Sequence, residues 1–258
     1  MAELENRLRA ARNRGRKILV PYVTGGLDGE WTDVVRAIAD AGADAVEVGI
    51  PFSDPVMDGP VIQEASQRAL DRGATPQSVL DDVRDVDAGV PLAVMTYYNI
   101  AFHMGHERFA RSLVSAGVDA AILPDLPLEE AGPWCTAADA AGVETVMLAA
   151  PTAPDDRLPR VCERSRGFVY GVGLLGVTGE RSAVAESALV IAKRLKAVTD
   201  KPVLVGVGVS TADQARALCE HADGVIVGSA LVRRLLDGAG PLGAAAFVAE
   251  LRQGLDRG

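Results

Sequence analysis

Lysine is scarce in this chain of 258 residues: there are four, Lys17, Lys193, Lys196 and Lys201. Cysteine is scarcer, with Cys135, Cys162 and Cys219 widely spaced. An odd count with no C-x-x-C pair excludes a disulfide framework and a cysteine zinc site, and fits reduced thiols in a cytoplasm. Histidine is equally rare. His103 and His106 are close, but Glu107 is the one candidate for a third ligand, so the segment reads as a polar loop before a helix rather than a metal site. Aromatic residues make up 4% of the chain, which argues against an aromatic-rich nucleic-acid platform. Basic residues are outnumbered, 26 against 35, and the net charge of −9 argues against broad binding to nucleic acid or an anionic membrane. A local site for a small anion remains compatible with that charge. No run of 18 apolar residues is present, and residues 1–17 lack the apolar core of a signal peptide.

What is abundant is a repeating pattern. Runs rich in Val and Ile recur at residues 18–23, 45–50, 92–95, 120–123, 145–149, 168–170, 203–207 and 224–227. Each is apolar on both faces, as strands of a covered parallel sheet must be. Helical patterning fills the intervals, as at residues 31–41, 108–116, 130–141 and 185–198. Three stretches end alike: Ala41-Gly42-Ala43-Asp44, Ala116-Gly117-Val118-Asp119 and Ala141-Gly142-Val143-Glu144. Glycine adopts the left-handed conformation past a helix end at little steric cost, so each marks a helix stop before a strand. Eight strand–helix units with no intervening linker predict one α/β domain over residues 1–258, a (β/α)8 or TIM barrel, with a doubly wound open sheet as the alternative. Residues 1–14, carrying Leu4 and Leu8, read as an extra N-terminal helix that caps the barrel's bottom.

In such a barrel the chemistry sits on loops after the strands' C-terminal ends. The second strand runs into Val46-Glu47-Val48-Gly49-Ile50-Pro51-Phe52-Ser53-Asp54-Pro55-Val56-Met57-Asp58-Gly59-Pro60. Glu47 interrupts an apolar run, where an unpaired buried carboxylate costs several kcal/mol. Alternation puts it on one face with Ala45 and Gly49, leaving room for a ligand. Three prolines restrict the following loop, and Asp58 precedes a helix expected over residues 61–70.

The segment from Val46 to Pro60 resembles the signature of the tryptophan synthase alpha chain family. Matching segments are spread over most of the chain: Val20-Pro21-Tyr22-Val23-Thr24, Met95-Thr96-Tyr97-Tyr98-Asn99, Leu123-Pro124-Asp125-Leu126-Pro127, Gly176-Val177-Thr178-Gly179, Gly206-Val207-Gly208-Val209-Ser210 and Gly228-Ser229-Ala230. The resemblance implies a (β/α)8 barrel lyase that cleaves indole-3-glycerol phosphate to indole and glyceraldehyde 3-phosphate. It implies Glu47 as general acid/base, Asp58 as the carboxylate holding the indole N–H, and Tyr170 as a catalytic-site hydroxyl reaching Glu47 by a hydrogen bond. Tyr22, Met95, Tyr97, Ile122 and Leu148 correspond to an indole pocket, Thr178 to a lid residue that meets Asp58, and Gly179 to a phosphate contact. A cytoplasmic enzyme of tryptophan biosynthesis is expected, with no cofactor in this chain. Pyridoxal phosphate is expected in a β-chain partner only, within an α2β2 heterotetramer.

The residues themselves support a phosphate site at the far end. Gly208 follows the seventh strand, and Gly228-Ser229 opens a helix after the eighth, where unsatisfied N–H groups favour an anion. Gly171-Val172-Gly173-Leu174-Leu175-Gly176 matches a dinucleotide-binding G-x-G-x-x-G, but no helix opens at once and Asp200 precedes the next strand. A glycine-rich lid fits better. No lysine lies at a strand's C-terminal end, so a Schiff base is not expected and carbon–carbon cleavage falls to carboxylates. Three alternatives remain open at this level: a non-catalytic activator of a β chain that binds glycerol phosphates, a stand-alone indole-forming lyase, and another phosphosugar barrel enzyme such as an isomerase.

Overall fold

A computed structural model of the chain describes residues 3–173, 181–206 and 208–257. Eight parallel strands, β1 (Ile18–Thr24), β2 (Val46–Gly49), β3 (Leu92–Met95), β4 (Ala120–Ile122), β5 (Glu144–Ala149), β6 (Val169–Val172), β7 (Val203–Gly206) and β8 (Gly224–Val227), close into a barrel in chain order. The helices are α1 (Glu3–Asn13), α2 (Trp31–Asp40), α3 (Pro60–Asp71), α4 (Pro76–Arg84), α5 (Tyr98–Met104), α6 (His106–Ser115), α7 (Gly132–Ala141), α8 (Arg157–Arg164), α9 (Arg181–Lys196), α10 (Ala212–Cys219), α11 (Ser229–Leu236) and α12 (Gly240–Asp256). The open-sheet alternative is ruled out by the pairing of β1 with β8. Among the described residues no helix is long and apolar enough to cross a membrane.

Because strand side chains alternate, the apolar residues divide into two layers. Val46, Val48, Val94, Val203 and Val205 face outward against the helices. Val20, Ala45, Ala93, Ala120, Ile122, Phe168, Leu204 and Ile226 fill the interior. Ala45 just before β2, Ala93 on β3 and Ala120 on β4 are small and pack in one cluster with the larger Phe168 and Leu204. Gly224 is required at the seam with β1, since a Cβ there would lie 2.3 Å from the carbonyl oxygen of Ile18.

The shared helix-stop punctuation has a second function. The acid that closes each motif turns back to a backbone N–H near the barrel's N-terminal rim. Asp44 Oδ2 accepts from Leu19 N at 2.9 Å, and Asp119 Oδ2 from Leu92 N at 3.0 Å. Asp223, ahead of β8, accepts from Val203 N at 2.8 Å and pairs with Lys196. Glu144 accepts instead from Leu4 N (2.8 Å) and Glu5 N (3.0 Å), the free amides that open α1. Burial pushes the Glu144 carboxyl up to about 7, while those two amides hold it down.

Two expectations shift. Residues 102–106 are not one polar loop: α5 continues to Met104, and Gly105 (φ 82°) separates it from α6. Tyr98 bonds His106 at 3.0 Å across the turn and stacks on its ring, which folds the two helices together. The sixth strand extends past Tyr170, because Gly171 and Val172 keep pairing with Val205 and Gly206. Residue 207, the end of the seventh run, lies outside the described residues.

Helix α1 closes the bottom of the barrel as expected, with Leu4 and Leu8 fully buried against the interior layer. Truncating Leu8 to Ala leaves a cavity there and is expected to lower stability by about 2–5 kcal/mol. Urea unfolding measures this; a midpoint unchanged from the parent would show that the helix is not part of the core.

Candidate active site

The barrel's other end holds a cavity of about 410 Å³, within the usual range for small-molecule sites. Its chemistry starts with Glu47, which is 1% exposed and stands in the β1–β2 register opposite Tyr22. Glu47 Oε2 is buried without a hydrogen-bond partner. Desolvation, with a smaller contribution from the nearby negative charge of Asp58, pushes the Glu47 carboxyl up to about 8. The group is therefore mostly a neutral acid at pH 7.

Two phenols make the floor beside it. A Cβ on Gly49 would sit 1.9 Å from the Tyr22 hydroxyl oxygen, and one on Gly206 would sit 2.5 Å from that of Tyr170. Each tyrosine thus leans over a glycine on the next strand, β1 over β2 and β6 over β7. Burial keeps both phenols neutral, well above the usual tyrosine range. The hydrogen bond expected from Tyr170 is not made to Glu47 Oε2, since that oxygen has no partner.

Asp58 arrives from the proline-bearing loop just before α3, whose first residue is Pro60 and whose N-cap is Gly59. Half-burial raises its carboxyl above the usual range, and a hydrogen bond with Tyr97 offsets part of the rise. Tyr97 also accepts the Met57 N–H at 2.9 Å and stacks on Phe52 with ring centroids 4.9 Å apart. One phenol therefore fixes three residues of the acidic loop. Desolvation pushes the Tyr97 hydroxyl itself up to about 12.

At the opposite end Gly228 and Ser229 open α11. The Gly228 carbonyl accepts from Leu231 N (2.9 Å) and Val232 N (3.0 Å), so the amides of Ser229 and Ala230 lead the helix, as in known anion sites. Gly173, Gly206 and Gly208 (φ 66°) bring further backbone to the same cavity. Neither lysine nor arginine lines it among the described residues.

Of the residues singled out in the sequence, the cavity gathers Glu47, Asp58, Tyr170, Tyr22, Met95, Leu148, Gly208, Gly228 and Ser229. It does not gather Tyr97, which sits behind the acidic loop, or Ile122, which is fully buried in the interior layer. Thr178 and Gly179 lie outside the described residues. Sequence reasoning missed Ile62, on the first turn of α3, and Ile226, two residues before Gly228. Ile226 carried a usable signal, since alternation from Gly228 points it inward. Ile62 carried none beyond its place four residues after Asp58.

A neutral acid and a second carboxyl at one end, apolar walls between, and helix amides at the other suit a barrel lyase that detaches an apolar group from a phosphorylated chain. The model of the tryptophan synthase alpha chain family matches residues 8–251. The alpha chain of Thermobifida fusca is 46% identical over 243 residues, covering 92% of this chain and 90% of that one. The alpha chain of Streptomyces coelicolor is 44% identical over 265 residues, covering 98% and 96%. A solved structure of Mycobacterium tuberculosis tryptophan synthase superposes with a TM-score of 0.90 at 38% identity, covering 98% of each chain. The chain belongs to the tryptophan synthase alpha chain family. It is a lyase, and the reaction of its family is retro-aldol cleavage of indole-3-glycerol phosphate to indole and glyceraldehyde 3-phosphate, a step in tryptophan biosynthesis.

Tyr97→Phe removes the hydrogen bond that favours ionised Asp58 and the acceptor of the Met57 N–H. The Asp58 titration midpoint, followed by ¹³C NMR of labelled carboxyls, is expected to move up, with a stability loss of about 0.5–1.5 kcal/mol. An Asp58 midpoint that stays in place would show that Tyr97 only fills space.

Proposed function

We propose that Glu47 carries both proton transfers of the cleavage and that Asp58 stabilises the cation formed between them. The Glu47 acid protonates C3 of the indole ring, giving an indolenine whose positive N–H is held by the Asp58 carboxylate. The Glu47 carboxylate then takes the proton of the side-chain hydroxyl next to C3. That carbon becomes a carbonyl, the bond to C3 breaks, and its electrons return to the ring. Tyr170 stands against Glu47 as a neutral hydroxyl. Tyr22, Met95 and Leu148 provide the walls for the ring. Gly208, Gly228 and Ser229 take the phosphate.

The observation that carries this reading is a carboxyl buried to 1% exposure and raised to about 8 in the cavity that also holds Asp58 and the α11 N-terminus. No cofactor is needed in this chain, and none of the lysines is near enough to the cavity to form a Schiff base. Lys17 bonds the Cys219 carbonyl, Lys196 pairs with Asp223, and Lys201 bonds the carbonyls of Glu163 and Ser165, while Lys193 lies exposed on α9. A cytoplasmic setting is consistent with the three buried free thiols.

We further propose a β chain as partner, in an α2β2 heterotetramer, to which indole passes and which alone holds pyridoxal phosphate. The alignment with structures of tryptophan synthase supports it. So do exposed apolar side chains at the cavity end of the barrel: Val56 and Met57 after β2, and Phe102 on α5 after β3.

Glu47→Gln and Asp58→Asn are each expected to lower indole release from indole-3-glycerol phosphate by about 10²–10⁴-fold while leaving the fold intact. In the parent chain, kcat/KM should fall as pH rises through about 8, because the acid form of Glu47 predominates below its midpoint and is lost above it. Wild-type turnover in either variant would overturn the assignment. Phe102→Asp places a charge on the exposed apolar face and is expected to prevent co-elution with the β chain in size-exclusion chromatography. Undiminished co-elution would remove Phe102 from the contact.

A further inference from the structure

Tyr22 and Glu47 are register partners on adjacent parallel strands, about 4.8 Å apart. Both face the cavity. The Tyr22 ring rises to the space over Gly49, and Glu47 springs from the same face of β2 two residues below that glycine. The ring therefore passes alongside the Glu47 side chain. Its root is confined as well, since a Cβ on Gly228 would lie 3.7 Å from the Tyr22 Cβ. The hydroxyl oxygen is fixed in this socket, but its hydrogen is free to rotate.

Two buried oxygens in this neighbourhood lack a well-formed partner, Glu47 Oε2 and Thr24 Oγ1. Thr24 follows Tyr22 on the same face of β1 and pairs with Gly49, so it flanks the hydroxyl from above. Its Oγ1 is buried and takes no hydrogen bond, so it is open to accept one from the phenol. Glu47 flanks the phenol from below. Resting on the assignment of Glu47 as the acid/base, we propose that the Tyr22 hydroxyl is a positioning group that turns its hydrogen from Thr24 to Glu47 when the Glu47 carboxyl ionises.

A phenol suits this role because desolvation keeps it neutral, so it still carries its proton when Glu47 has lost one. The other titratable groups facing Glu47 among the described residues are Asp58, which opposes ionisation, and Tyr170, with Tyr97 behind Asp58. Strands β3, β4, β5, β7 and β8 present Met95, Ile122, Leu148, Gly206 and Ile226, none of which titrates. Tyr22 and Tyr170 are therefore the neutral donors within the floor, and the open oxygen on Thr24 gives Tyr22 a second resting place. A donor that engages only the carboxylate favours the charged form and so lowers the midpoint of Glu47.

The test follows the Glu47 carboxyl by ¹³C NMR of the full chain labelled at glutamate side-chain carboxyls. Its resonance is the one lost in Glu47→Gln, and kcat–pH profiles are recorded alongside. In Tyr22→Phe the donor is gone, and the midpoint is expected to rise by about one pH unit. In Thr24→Val the competing oxygen is gone at nearly constant shape, and the midpoint is expected to fall. The alkaline limb of the kcat profile should move in the same sense as the midpoint in each variant. Opposite signs require a rotating donor, because a purely structural role moves both midpoints alike or neither. An unmoved midpoint, or shifts of the same sign, would overturn the proposal; if one variant does not fold, the sign seen in the other decides. Wild-type turnover in Glu47→Gln would instead overturn the acid/base assignment, whatever the two midpoints do.

Discussion

Placing a carboxyl inside an apolar barrel with one oxygen unpartnered is the constraint on which the cavity end of this protein depends. Water stabilises a carboxylate far better than Met95, Leu148 and Ile226 do, so Glu47 holds its proton to about pH 8. Retention of that proton leaves it able to act as an acid at neutral pH. The same burial leaves the placement of the polar groups beside it to the fold. The two phenols over their glycines, and Tyr97 behind the acidic loop, supply that placement. Asp58 is half-exposed, and its carboxyl too is raised by burial, with the Tyr97 hydrogen bond opposing that rise.

The opposite end of the barrel uses carboxylates in another way. Asp44, Asp119, Glu144 and Asp223 each accept backbone N–H groups at the strands' N-terminal rim or at the start of α1. They tie the ends of neighbouring elements together, and none of them touches the cavity. Part of the net charge of −9 is thus structural. The α11 end of the cavity presents helix and loop amides, which offer positive partial charge, with no lysine or arginine in the lining among the described residues.

Much of this was legible in the residues. Eight two-faced apolar runs gave the barrel, and Glu47 stood out because a lone acid in such a run needs a reason. The glycines after β7 and β8 pointed to one end of a site, and both line the cavity. What could not be read was depth and neighbour identity. Tyr97 and Ile122 look like pocket walls by position, yet one is turned behind a loop and the other lies below the cavity floor, since a barrel interior is stacked in layers that sequence does not number. The role of the acids in the helix-stop motifs was also hidden, because their partners lie 20 or more residues away in the chain. The helix at Tyr98–Met104 was missed because its stability comes from rings meeting across Gly105, not from local propensity.

The two tyrosine–glycine sockets have a consequence for how such a site can change over generations. Neither partner is free to vary alone: a side chain at position 49 or 206 would occupy the space of a phenol, and a smaller residue at 22 or 170 would leave a gap beside the acid. These four positions form two coupled pairs, each spanning neighbouring strands. Drift at the floor of this cavity has to proceed by paired replacement, and a lineage that loses one glycine must also reshape the aromatic residue that leans on it.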